Sequence, residues 1–400
     1  MGIQTLTYEP PVRRSVPCPV LDYELLDAAN ELAQQGESVL ALRKVIEHLL
    51  PSSTIANLLN EPLVFTQGSS KVTIQIEGDD LAIRVPLIRL PEGGRAIAAL
   101  RYVLTEIAGS GQLYQPRLVG DEIHIEYRDA ISRLHPAKVL EVLRRMPEEA
   151  DKSDDLLIGQ FGALPLERAS ITPLDDAELE RCEAIWTSHW DNLEELVKEC
   201  QRKRSYFFLN ELTAYAPNQI LFTLPLSGYL AHRLSEFAST FNDCDEEPLK
   251  REASLLRCIK EMKAVSREDL QKSLGHASYA INPLSNGTSR VLRRHLAGGY
   301  METINGLRQS GNAFDAAFGL FGTYTYLLAQ FSWPEVLEEA MKECLTKASG
   351  KSWKEAASIL CAHAEGIIAK FADEEAEDEE TEDEETEDEE EGNAQEGGIQ

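Results

Sequence analysis

The stretch 121–129, DEIHIEYRD, sets His124 between Glu122 and Glu126 at spacings of two, an imidazole flanked by carboxylates that suits a general base or a metal ligand. Residues two apart on a strand lie about 6.6–7 Å apart at the backbone, so one metal reaches two of the three and needs further ligands from distant sequence. Ile123, Ile125 and Tyr127 alternate with the polar set, the pattern of a strand with one apolar and one wet face. The spacing therefore predicts a solvated strand face at His124.

Two cysteine–histidine pairs invite a thiol chemistry. Cys182 and His189 are seven apart and share a helix face, but no strained turn or oxyanion element accompanies them. Cys361 and His363 are two apart, about 200° around a helix, and so face different sides. Free cysteine usually packs as a small hydrophobe, and packing is the expectation for both. Gly93-Gly94 ahead of a helix offers backbone N–H groups to an anion. No phosphate-loop or dinucleotide-binding motif accompanies it, so a linker turn is expected. Basic clusters stand at 201–208, QRKRSYFF, and at Arg290, Arg293 and Arg294. Tyr206, Phe207 and Phe208 could stack on bases. A cationic helix end followed by core aromatics explains the same residues through the helix dipole.

Charge sharpens that choice. The net charge is −29, but residues 373–400 hold seventeen acidic residues and no Lys or Arg. The remainder is only mildly acidic, without the basic excess that phosphate backbones require, so nucleic acid is not the expected partner. Residues 373–391, DEEAEDEETEDEETEDEEE, have nothing apolar to bury and are expected to be disordered. Such a tail could fold back on the arginines and screen them. The seven cysteines, at 18, 182, 200, 244, 258, 344 and 361, are odd in number and include no CxxC pair. They predict neither a disulfide framework nor a structural zinc, and with no signal-peptide run at the N-terminus they fit a cytoplasmic protein. The apolar run 316–329 is shorter than the roughly 20 residues a membrane span needs and reads as a buried helix.

The elements that must position these residues fall into two sets. Residues 21–50 keep helical spacing, then Val72, Ile74 and Ile76 alternate with polar residues, as do Leu81, Ile83 and Val85 after the turn Gly78-Asp79-Asp80. Pro86 signals a strand end, a bulge or an edge. A helix over 95–107, a strand pair over 113–127 and a closing helix follow, giving an antiparallel sheet covered by helices. From 166 onward the spacing is helical almost throughout, with runs at 225–242, 247–263, 266–275, 287–309, 312–331, 334–348 and 351–371.

The leading helix, the hairpin around Gly78-Asp79-Asp80, the helix Arg95–Ile107, the strand pair and the segment 148–163, EEADKSDDLLIGQFGA, together resemble the type III secretion chaperone fold and its YbjN-type relatives over roughly 20–165. The resemblance implies a non-catalytic module that binds proteins and forms homodimers through its central helix or sheet.

These readings give an α+β fold: an N-terminal extension over 1–19, a chaperone-like α+β domain over 20–165, an all-α domain over 166–372 and an acidic tail over 373–400. The expected function is a protein-binding adaptor or chaperone-like protein of the bacterial cytoplasm, needing no cofactor or metal and no membrane. Val72, Ile74, Ile76, Leu81, Ile83 and Val85 are its candidate contacts, through strand addition or the sheet surface, although the same residues suit the sheet's core face. The alternative is a hydrolase or transferase with a site between the domains, using His189, His232 or His276.

Overall fold

A computed structural model describes residues 5–16, 23–50, 61–241 and 246–370. The acidic tail, Cys18 and Cys244 lie outside the described residues. The first half begins with the helices α1 (Tyr23–Gln34) and α2 (Ser38–Leu49). Strands β1 (Leu63–Gly68), β2 (Ser70–Glu77) and β3 (Asp80–Arg89) follow, then helix α3 (Gly94–Tyr102) and strands β4 (Gln115–Val119) and β5 (Glu122–Ala130). Helix α4 (Pro136–Phe161) and the short strand β6 (Leu164–Pro165) complete it. The antiparallel α+β layer expected for this half is present.

Strand β3 sits centrally, pairing with β2 on one side and β5 on the other, and Pro86 lies within it opposite His124. The ladder shifts register between Pro86 and Ile88. A bulge is how a strand accommodates a residue with no N–H to donate, so of the three outcomes that Pro86 signalled the bulge is realised. The inward face carries Ile74, Ile83, Val85, Ile123, Ile125 and Tyr127 against Val139, Val142, Leu143 and Met146 of α4. The long helix packed on the sheet is thus α4, which spans 26 residues. The helix over 95–107 is peripheral: α3 buries only Ala99, and at Val103–Ile107 it widens into a π turn.

The second half is helical: α5 (Asp176–Lys203), α6 (Tyr206–Thr223), α7 (Gly228–Phe241), α8 (Pro248–Lys263) and α9 (Arg267–Ser273). After the two-residue strands β7 (Ser278–Tyr279) and β8 (Ser285–Asn286) come α10 (Ser289–Leu296), α11 (Gly299–Gln309) and α12 (Ala313–Gln330). Strand β9 (Phe331–Ser332), α13 (Glu335–Ala348) and α14 (Trp353–Lys370) end the described chain. Asp175 and Glu178 form the capping box that starts α5. The apolar run 316–329 is the middle of α12, a helix buried on nearly all sides against α6 and α14. Among the described residues no helix is long and apolar enough to cross a membrane.

Three features tie the halves together. Strand β7 adds to the free side of β1, pairing Tyr279 with Gln67 and Ser278 with Gly68. Helix α4 packs on α7 as well as on the sheet. The segment 5–16 belongs to the helical half: Leu6 and Tyr8 are buried among α12, α13 and α14, and Thr5 bridges to Ser352. The backbone N–H groups of Val12 and Arg13 both donate to the Thr223 carbonyl. Part of the expected N-terminal extension is therefore core.

Candidate functional site

The residues expected to meet a partner lie inside. Val72, Ile74, Ile83 and Val85 have no exposed surface, and Leu81 is 2% exposed. Ile76 is half-buried and packs against the same core. Helix α4 occupies the face these side chains would have to offer, so in the folded chain the sheet positions hold the domain together and cannot dock a partner.

His124 lies on the opposite face, among ion pairs. Glu126 accepts from Arg84 Nε at 2.9 Å and Arg117 Nη1 at 2.7 Å, Arg89 pairs with Glu122 at 2.6 Å, and Glu77 is held by Arg84 and Arg128. The Arg84 hydrogen bond, ahead of opposing desolvation, holds Glu77 down to about 2. Both glutamates beside His124 are thus committed to arginines, and the polar face expected to be solvated is covered by these ion pairs: Glu126 is 9% exposed, and Glu122 and His124 are half-buried. Among the described residues no group of three or more His, Cys, Asp or Glu is placed to bind a metal.

The two cysteine–histidine pairs are packed. Burial pushes the Cys182 thiol up to about 11 and His189 down to about 4, which leaves both neutral, and His189 Nε2 hydrogen-bonds the Ala216 carbonyl at 2.8 Å. His363 Nδ1 meets the Tyr324 hydroxyl at 2.7 Å, and Cys361 is buried. The cluster at 201–208 is also structural: Lys203 lies 4.0 Å from the Phe314 ring centre and 3.2 Å from Asp315, while Phe208 is core. Gly93, with φ 68°, is the turn before α3.

Tertiary structure gathers a different set. A cleft of about 510 Å³ opens between the two halves, with α4 as one wall, the start of α7 and the loop before β7 as another, and the segment 13–16 across it. His232 and His276, from distant parts of the sequence, both line it, whereas His189 faces a separate cavity of about 220 Å³. Burial lowers the affinity of His232 and His276 for a proton, so both are neutral imidazoles at physiological pH. His232 Nε2 lies 3.3 Å from Glu236. The Nε2 atom of His276 is buried with no hydrogen-bond partner.

Beside the α4 wall is a carboxyl cluster. Asp151 Oδ1 accepts from the Ser69 N–H at 2.5 Å and lies 2.7 Å from Ser69 Oγ, and that same Oγ lies 2.9 Å from Asp154 Oδ2. Arg168 reaches Asp154 at 2.9 Å and Asp155 at 2.6 Å. One hydroxyl has one hydrogen to give. Between two carboxyl oxygens it satisfies one, and the second contact requires a carboxyl O–H donating back to Ser69. Burial, opposed by Arg168 and reinforced by Asp155, pushes Asp154 up to about 8, which supplies that proton at neutral pH. Gly68, at φ +60°, lets β1 approach: a Cβ there would overlap the Asp151 carboxylate.

Sequence reading missed Arg13, Arg14, Tyr279 and the Ser69–Asp151–Asp154 cluster. The adjacent arginines of PPVRRS were the available signal for the first two, being a dibasic pair in an acidic chain. No family model matches the chain, and no curated protein matches it.

A second feature is apolar. Ile97 is 58% exposed, Leu104 63% and Leu118 52%. Ile97 and Leu104, two helical turns apart, share the solvent side of α3 and its π turn, against which β4 packs. Arg95 and Arg101, on α3 with Ile97, are also exposed. Strand β4 ends the sheet, so its outer backbone edge has no strand partner among the described residues.

Proposed function

We propose that this chain is a non-catalytic, protein-binding adaptor or chaperone-like protein whose docking surface is the open β4 edge and the apolar side chains next to it. The carrying observation is the exposure of Ile97, Leu104 and Leu118 together beside an unpaired strand. Contiguous exposed apolar surface bounded by charge is what interaction sites present and what monomer surfaces avoid. A free strand edge offers backbone hydrogen bonds to an incoming extended segment, with flanking side chains supplying specificity. Pro116 lacks an N–H, so it limits how many bonds an added strand can make and argues for a short, register-specific contact.

The test is co-purification of the tagged full-length protein from its native host, followed by hydrogen exchange on the purified complex. A stoichiometric partner that protects the β4 amides, and is lost in folded Leu104→Asp and Leu118→Asp variants, supports the reading. A partner retained by both variants, or none at all, refutes it. The alternative of a hydrolase or transferase is favoured by one observation, the meeting of His232 and His276 in the inter-half cleft. Turnover lost in both His232→Gln and His276→Gln would replace the adaptor reading.

A further inference from the structure

The cleft carries an inference independent of the β4 edge. Its charges do not cancel within the wall. Arg13 donates from Nη1 to the Leu221 carbonyl at 3.0 Å and from Nη2 to the Leu328 carbonyl at 2.9 Å, both neutral acceptors. Arg14 is exposed and forms no hydrogen bond or ion pair with the described residues. Among the wall's acids, Glu148 is paired with Lys152, and Asp151 is hydrogen-bonded by Ser69 and forms no ion pair with either arginine. Neither guanidinium group is in an ion pair with a carboxylate among the described residues, although Glu338 acts on Arg13 at longer range.

The hydrogen-bond inventory points the same way. His276 Nε2 is buried and unpartnered, and Arg14 is close enough to depress the proton affinity of that ring. The Tyr279 hydroxyl donates to nothing among the described residues, although Arg13 and Asp151 both act on it. A buried polar atom without a partner, such as His276 Nε2, is rare in a folded chain and calls for a ligand or water. Arginine, imidazole and phenol donors around one space of about 510 Å³ match the size of a small-molecule site and the oxygen-rich surface of an anion.

We infer that the cleft is a binding site for a small anion of the phosphate-monoester class, held by Arg13, Arg14, His276 and Tyr279. A phosphate dianion meets both guanidinium groups and accepts from the His276 ring in its Nε2–H tautomer. Arg13 is fixed before the ligand arrives, because its side chain is anchored to two carbonyls and its backbone N–H to Thr223. Such preorganisation lowers the ordering cost of binding. Arg14 then closes on the ligand from the open side.

Isothermal titration of the full-length protein with inorganic phosphate at low salt tests this, with sodium chloride at matched ionic strength as the control. Saturable binding is expected in wild type. Arg14→Ala and His276→Ala should each weaken it about ten- to hundredfold, the range for losing one charge-assisted hydrogen bond. Arg294→Ala, outside the cleft, should leave it unchanged. Arg14 is exposed and unpaired, so its loss should not alter the unfolding midpoint. Absence of saturable heat, reproduction of the heat by chloride, or equal affinity in wild type, Arg14→Ala and His276→Ala would each overturn the assignment. Loss of the protein partner in the Leu104 and Leu118 variants reads out the adaptor proposal separately.

Discussion

Replacing Asp154 by Asn should change how stability depends on pH more than it changes stability itself at mildly acidic pH. Asp154 is 3% exposed, and burial holds its proton on up to about pH 8. In the unfolded chain the same group loses its proton near pH 4. Between those limits the folded state binds a proton that the unfolded state does not, so stability falls as pH rises, and the loss is complete above the folded value. One whole proton over the three units from pH 5 to pH 8 is worth about 4 kcal/mol. Arg168, 2.9 Å away, is already among the causes that set that value, so a loss of up to about 4 kcal/mol is expected. Other groups act in the same window. His189, His232, His276, His295 and His363 are held neutral by burial and add stability as pH rises toward the ordinary histidine value, while Glu211, like Asp154, is pushed up to about 8. The difference between wild type and Asp154→Asn cancels the contributions of distant groups and leaves that of Asp154 together with Asp151, which burial also raises and which shares Ser69. An Asn amide can still donate to Ser69 Oγ in place of the carboxyl O–H, so the local hydrogen bonds survive. Denaturant unfolding at pH 5, 6.5 and 8 should therefore show the two proteins alike at pH 5 and the Asp154→Asn variant the more stable at pH 8. Circular dichroism is the appropriate probe, because all four tryptophans, at 186, 190, 333 and 353, lie in the helical half. Parallel pH profiles for the two proteins would refute a proton shared between Asp154 and Ser69.

Two further outcomes follow from packing. Gly287 lies against the buried Trp333 ring, where an added Cβ would overlap the ring carbons. Gly287→Ala should destabilise by about 1–3 kcal/mol, the cost of overpacking a filled core, and an unchanged thermal midpoint would show that Trp333 is free to move. Burial raises the Cys258 and Cys344 thiols to about 12, so alkylation mapped by peptide in the native protein should be slower at both than in unfolded protein by about two orders of magnitude or more. Equal rates would place those thiols at the surface.

The amino-acid sequence by itself determined the periodic features. Alternation at 72–85 and 122–127 marks strands because one face is buried, and the helical spacing from 225 onward locates α7 to α9 and α12 to α14 because each presents an apolar side to its neighbours, whereas the single run 287–309 is divided at Ala297-Gly298 into α10 and α11. The same local signal separated the polar from the apolar side of DEIHIEYRD, but not that arginines from β3 and β4 would cover the polar side. It could not show whether Val72, Ile74 and their neighbours meet a partner or a helix of their own chain, since both surroundings select the same apolar residues. Tertiary structure decided for α4. It also decided what periodicity never encodes: that Arg13 and His276 line one cleft, that the segment 5–16 lies in the helical core, and that β7 completes a sheet begun two hundred residues earlier. Those contacts depend on how whole elements dock, and docking is fixed by shape and burial across the molecule rather than by spacing along the chain.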